Sequence, residues 1–170
     1  MGGQTRAVWT ALAAGLSAAL LAAPVASRAA ESRYTQAGPT ACKVQESGEP
    51  EGQDWLLYRC EGQPGLPVWL LYQDSTRLQV AFGPNSFDHY APFSSDRDEA
   101  WKVEWRGVVY GRYRPYAAIL RMRPVGEQGS MLAVYRIWPD KPSCLIGQVT
   151  DNAEARRIAD AASTLEDCPE

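Results

Sequence analysis

The chain has only one histidine, His89, among its 170 residues. It has no Cys-x-x-Cys pair, although close ligand pairs of that kind are usual in zinc sites and redox dithiols. The Gly-x-Ser-x-Gly turn that carries the nucleophile of many hydrolases is also absent. These absences exclude the commonest sequence signatures of metal-dependent and serine-dependent catalysis, and we expect no cofactor.

Long apolar runs are missing except at the N-terminus, where Arg6 precedes an alanine-rich run over residues 7–23. Pro24 ends that run, and small residues follow it. A basic residue, a short apolar run and a small-residue zone are together typical of a secretory signal peptide. We therefore expect residues 1–29 to be a signal peptide cleaved after Ala29, with neighbouring small residues as alternative cleavage positions.

A retained membrane anchor is the alternative for this N-terminal segment. Gly15 and Ser17 interrupt the apolar run, which falls short of the roughly 20 apolar residues that a spanning helix needs. A lipoprotein would need a cysteine at the cleavage site, and the first cysteine is Cys42. We therefore expect a periplasmic or secreted product without stable membrane insertion.

Basic side chains are outnumbered, with 17 Lys and Arg against 20 Asp and Glu. Cleavage of the signal peptide removes Arg6 and Arg28 and no acidic residue, which changes the net charge from −3 to −5. Nonspecific nucleic-acid binding requires basic groups that neutralise phosphates, so we expect no nucleic-acid partner. Residues 30–170 have the length of one ordinary domain, and we expect a single disulfide-stapled β-rich domain there.

The four cysteines are even in number, which suits two disulfides in an oxidising compartment. Three connectivities are open, and we favour Cys42–Cys60 with Cys144–Cys168 because each pair closes a local loop around one structural unit. In the chain-entropy model each such loop contributes about 3 kcal/mol to stability.

Short aromatic segments bounded by Gly and Pro recur along the chain and are typical of strands. Only the segment after Asp151 has a helical pattern, with Glu154 three residues later as in a capping box. We predict a mainly β (α+β) fold with a single antiparallel, strongly twisted or barrel-like sheet and one C-terminal helix packed on it. The predicted strands cover residues 55–59, 68–72, 78–82, 101–106, 116–122, 131–138 and 144–149.

Three segments carry no strand pattern. We expect an extended lead-in over residues 31–41, a solvated turn over 46–53 and an irregular loop over 86–99. The loop carries His89 beside Asp88, so a hydrolase acting on cell-envelope polymers, with this histidine and nearby carboxylates as acid and base, is one hypothesis. A solvated loop with incidental neighbours is the simpler interpretation. The other acidic side chains of the loop, which do not complete a calcium motif, are Asp96, Asp98 and Glu99.

Arginine and tyrosine are concentrated between residues 106 and 123. Planar guanidinium groups bind carboxylate or phosphate groups bidentately, so this segment is our candidate ligand-binding site. The alternative is a solvated strand face whose arginine stems cover aromatic rings and whose charges pair with carboxylates. The candidate ligand-binding residues are Arg112, Arg114, Tyr116, Arg121 and Arg123.

Five of the six tryptophans lie in predicted strands. Core packing is the usual fate of such large side chains, and we expect most of them to be core anchors. Tryptophan on a sheet surface can instead stack on sugar rings, as a cell-wall ligand would require. The five are Trp55, Trp69, Trp101, Trp105 and Trp138.

Residues 113–121, with the sequence Tyr-Arg-Pro-Tyr-Ala-Ala-Ile-Leu-Arg, follow a Trp-Arg pair at 105–106. Together with residues 158–168, which run to Cys168, they make the chain resemble a group of small exported alphaproteobacterial proteins of unknown function. The resemblance implies export to a Gram-negative periplasm and implies no activity or site residue.

These observations favour a non-enzymatic binding or interaction module. Its partner would be an envelope protein or another ligand that presents an anionic group on a protein, glycan or lipid. An envelope hydrolase and an inhibitor of such an enzyme are the alternatives, and the second rests on compartment and size alone.

Overall fold

The computed structural model describes residues 2, 29–48, 54–73, 76–87, 93–94 and 100–169. It confirms the predicted fold class, because one antiparallel sheet curls into a half-barrel and a C-terminal helix packs against it. The described strands are β1 (Glu31–Ala37), β2 (Cys42–Gly48), β3 (Trp55–Gln63), β4 (Leu66–Gln73), β5 (Arg77–Phe82), β6 (Phe93–Ser94), β7 (Trp101–Tyr110), β8 (Arg112–Pro124), β9 (Met131–Arg136) and β10 (Cys144–Val149), and the helix is α1 (Asn152–Ala161).

The sheet has the strand order β1-β7-β8-β6-β5-β4-β3-β2, and β9 and β10 branch from β8. β8 is 13 residues long, which lets it pair with β7, β9 and β6 at different points along its length. β1 pairs with β7 and also approaches β3. The curl therefore brings strands from the two ends of the sheet close together.

The concave side of the half-barrel holds the larger core, in which Trp105 and Phe82 make an edge-to-face contact at 5.5 Å between ring centroids. On the opposite side of the sheet, Ala117 and Ile119 of β8 pack against α1 through Ala155 and Ala159. Alanines on the helix allow a close approach to the sheet. The described sheet is therefore buried on both faces where α1 lies.

Helix α1 begins where the sequence predicts, because the Asp151 carboxylate accepts a hydrogen bond from the Glu154 backbone N–H at 2.9 Å. The Glu154 carboxylate binds Arg157 rather than completing a reciprocal capping box. After Ala161 a short 3-10 helix, Ala162–Thr164, ends the helical segment.

Both favoured disulfides are confirmed. Cys42 and Cys60 lie opposite each other on β2 and β3, with 4.2 Å between their Cα atoms. Cys144 at the start of β10 is bonded to Cys168, which fastens the segment after α1 to the sheet. Of the described helices, none has the length and apolar character needed to cross a bilayer.

The predicted extended lead-in, the predicted turn and the predicted irregular loop each contain strand residues. The lead-in is largely β1, residues 46–48 of the predicted turn belong to β2, and Phe93–Ser94 within the predicted loop is β6. β2 is an edge strand whose side chains are mostly exposed, so no apolar alternation marked it. β6 is only two residues long, too short for any pattern. Of the predicted signal peptide, residues 1–29, the structure describes only residues 2 and 29.

Candidate functional site

A cavity of about 860 Å³ opens at one end of the half-barrel. Three guanidinium-bearing side chains, Arg33, Arg112 and Arg114, line it, and no Asp or Glu is among the described lining residues. We call this feature the arginine cavity. Its other lining residues are Gln63, Pro64, Gly65, Leu66, Val109, Gly111, Tyr113, Pro115 and Pro139.

The β7–β8 hairpin supplies two of these arginines. Gly111 forms the tip with φ +67°, a left-handed conformation that favours glycine. Arg112 and Arg114 follow two residues apart on β8, so they share a strand face as the sequence predicted. Arg33 comes from β1, the strand on the other side of β7.

Tyr113 is the fixed aromatic side chain of the cavity. Its hydroxyl donates to the Trp105 carbonyl at 2.6 Å, and the guanidinium of Arg33 lies 4.2 Å from its ring centroid. Burial raises the pKa of Tyr113 well above its usual range, so the hydroxyl stays protonated. A Cβ at Gly107 would lie 2.8 Å from this ring and 2.6 Å from the Arg114 carbonyl oxygen, so glycine is needed for the close approach.

In the described part of the chain, none of the three cavity arginines forms a salt bridge with a carboxylate. The salt bridges found there involve Arg106, Lys141, Arg156 and Arg157 instead. The Arg114 guanidinium lies 5.9 Å from the ring of Tyr110. The arginine cavity is therefore a cationic site available to an anion.

Tyr116 lies outside this cavity and belongs to the helix contact. Its hydroxyl donates to Asp160 Oδ1 at 3.0 Å, and Arg106 binds the same carboxylate through Nε at 2.9 Å and Nη2 at 2.7 Å. Burial, with the hydrogen bond to Asp160, raises the pKa of Tyr116 to about 12. The β7–β8 register shift between Arg106 and Gly107 leaves Tyr116 unpaired with β7, in contact with the cluster under α1.

Arg121 and Arg123 lie toward the other end of β8. Eleven residue steps at about 3.3 Å place Arg112 and Arg123 about 36 Å apart along an extended strand. Arg121 Nη1 donates to Ser130 Oγ at 3.3 Å, and Arg123 is opposite Ser94 of β6. The structure thus brings together two of the five candidate residues and separates the other three from them.

A second group of charged side chains connects α1 to β1 and β7. Arg156 Nε donates to Glu104 Oε1 at 2.7 Å, and Ser32 Oγ donates to the same oxygen at 2.6 Å. Burial acts to raise the pKa of Glu104, but the hydrogen bonds from Arg156 and Ser32 outweigh it and hold that pKa below its usual range. Arg106 Nη1 donates to Ser32 Oγ at 2.6 Å and so joins this group to Asp160. We call this group the helix latch; its members are Ser32, Glu104, Arg106, Tyr116, Arg156 and Asp160.

Sequence reasoning missed Arg33 and most of the helix latch. Arg106 and Asp160 are 54 positions apart, and Glu104 and Arg156 are 52 apart, so no local spacing indicated either pair. Arg33 lies in a strand that the sequence did not reveal. The one indication of the helix latch in the sequence was the period-two pattern of β7, which placed Glu104 and Arg106 on the same face of that strand.

The residues of the hydrolase hypothesis, His89, Asp88, Asp96, Asp98 and Glu99, lie outside the described residues. Among the residues that are described, no group of three or more His, Cys, Asp or Glu side chains could hold a metal ion. No family model, curated protein or solved structure matches the chain. The function is therefore argued from the chemistry of the site.

Proposed function

We propose that this protein is an exported, non-catalytic module that binds an anionic group of a protein, glycan or lipid in the arginine cavity. The observation that carries the proposal is the convergence of three guanidinium groups on one cavity whose described lining contains no carboxylate. A planar guanidinium donates two parallel N–H hydrogen bonds to one carboxylate or phosphate, so it fixes the orientation of the anion as well as neutralising its charge.

The remaining lining supports the same function. Leu66, Val109 and three prolines form apolar walls beside the guanidinium groups. A lining of this kind lowers the local dielectric constant and strengthens an ion pair formed there. The chain as a whole carries a formal charge of −3, so this cationic cavity differs in sign from the average surface.

Two observations support the proposed export of the protein. The two disulfides are compatible with an oxidising extracellular or periplasmic location. The N-terminal pattern of a basic residue, an apolar run and small residues favours a cleaved signal peptide, and N-terminal sequencing of the protein recovered from periplasm and medium tests that point.

The binding proposal is tested by calorimetric titration of the folded, oxidised protein with inorganic pyrophosphate. We expect R112A/R114A to weaken binding by about tenfold or more, because two charge-assisted contacts are lost. The matched control is R121A/R123A, which removes the same charge from the far end of β8. Equal weakening by both pairs would show an effect of net charge, and, like no binding at all, it would overturn the assignment to the cavity.

A further inference from the structure

The outer edge of β2 lies at one end of the sheet and takes no part in the arginine cavity or the helix latch. Among the described strands, β2 pairs only with β3, to which the disulfide between Cys42 and Cys60 also joins it. Residues 43–47 are all exposed, and Val44 is 53% exposed. A strand edge of this kind presents backbone N–H and C=O groups to another strand.

The pairing with β3 shows which backbone groups of β2 point to the open edge. The Cα atoms of Cys42 and Cys60 are 4.2 Å apart, a distance typical of a non-hydrogen-bonded pair in an antiparallel ladder. The N–H and C=O groups of Cys42 therefore point away from β3, and alternation gives the same direction to those of Val44. Ser47 is opposite Leu56, which is four positions along β3 from the disulfide, so its backbone groups also point to the open edge.

A β-bulge decides which charged side chains of β2 share a face. The register with β3 shifts between Val44 and Glu46, so Gln45 is the extra residue. Lys43 and Glu46 are consequently opposite β3 residues that are two positions apart, and their side chains lie on the same face of the sheet. Neither side chain forms a salt bridge with another described residue. On the open edge, Gln45 Nε2 donates to the Val44 carbonyl oxygen in a long bond of 3.4 Å.

The edge of β2 is complementary to a second copy of itself. With the bulged residue left out of the count, a twofold axis at Val44 places Val44 opposite its own copy and Cys42 opposite Ser47. All three residues whose backbone groups point outward then form hydrogen-bonded pairs with the second copy. The same axis places Lys43 opposite Glu46 in a non-hydrogen-bonded pair, in which facing side chains are closest.

Charge selects the occupant of this edge. Lysine and a bulge on an edge strand usually discourage pairing with another strand. Here the order of charges along β2 matches its own reverse, and opposite charges that face each other across two strands attract. We propose that two copies of this protein associate through their β2 edges as a twofold-symmetric dimer, in which Lys43 of each copy binds Glu46 of the other.

The test is sedimentation equilibrium of the oxidised protein at increasing concentration, which we expect to show a monomer–dimer equilibrium. Lys43→Glu and Glu46→Lys should each raise the dissociation constant about tenfold or more, because two attractive pairs become two repulsive ones. The double variant K43E/E46K should restore the unmodified value, since the pairs are attractive again. A single monomeric species at every concentration, or a double variant that associates no more tightly than the single ones, would overturn the proposal.

Two control variants separate the β2 edge from effects of net charge and from other surfaces. Glu127→Lys makes the same change of charge at an exposed residue outside β2, and equal weakening by it and by Glu46→Lys would refute the ion pair. Val44→Pro removes an N–H group that points to the open edge, a position at which an edge strand accepts proline. It should abolish the dimer while circular dichroism stays unchanged, and an equally tight dimer of the folded variant would exclude this edge. R112A/R114A is expected to dimerise as the unmodified protein does, because the arginine cavity is not involved.

Discussion

Replacement of Asp160 by alanine tests whether the helix latch holds α1 on the sheet. The change removes two hydrogen bonds from Arg106 and one from Tyr116 at once. The Arg106 side chain is only 11% exposed, so the variant leaves a largely buried cation without its partner. Uncompensated charge, rather than the lost attraction itself, is the main cost in such variants.

The size of the effect follows from burial of the two partners. Breaking a fully buried ion pair costs about 3–5 kcal/mol, but the Asp160 side chain is 39% exposed and water enters the gap it leaves. We therefore expect Asp160→Ala to lower the free energy of unfolding by about 2–3 kcal/mol. For a domain of this size, that loss lowers Tm by roughly 6–12 °C.

Urea unfolding of the oxidised protein, followed by circular dichroism, measures this loss. Asp167→Ala is the matched control, because its carboxylate is 80% exposed and pairs with Lys141 at 2.7 Å on the surface. The control should change stability by about 0.5 kcal/mol or less. If Asp160→Ala costs no more than Asp167→Ala, the helix latch does not stabilise the fold and the reasoning is wrong.

Two further predictions concern the attachment of the C-terminal segment. Because the folded pKa of Glu104 is lowered, its contribution is present above the unfolded carboxyl pKa and is lost as pH falls through the folded one. Acid titration of stability should therefore show a shallower decline for Glu104→Gln than for the unmodified protein, and identical slopes would refute this role. Replacing both Cys144 and Cys168 by serine should lower the free energy of unfolding by about 3 kcal/mol, since the bond closes a loop of 24 residues. Urea unfolding checks this value, and an unchanged midpoint would contradict it.

Features that depend on residues close together in sequence were predicted well. Trp101, Val103 and Trp105 showed their strand through strict alternation, and Asp151 showed the start of the helix through its own hydrogen-bonding chemistry. The disulfide pairing also followed from short loops. Each of these depends on residues close together in sequence, where spacing alone decides which side chains can meet.

The candidate site was predicted only in part, because residues that are close in sequence lie far apart when they belong to one long extended strand. Arg112 and Arg123 belong to one compact segment of sequence, yet they lie toward opposite ends of the 13-residue strand β8. Arg33, by contrast, is far away in sequence and reaches the cavity through the pairing of β1 with β7. Assembly of the cavity depends on this long-range pairing, which no local sequence pattern indicates.

The pairing of β1 with β7 also has a consequence for the order of folding. Ala37 lies opposite Trp101 and Glu31 lies opposite Gly107, so every pair between β1 and β7 joins positions more than sixty residues apart. The meander from β2 to β5 closes only short loops, and the entropy of loop closure favours its formation before β1 docks. Because Arg33 lies on β1, we expect the arginine cavity to be among the last features of the native state to form.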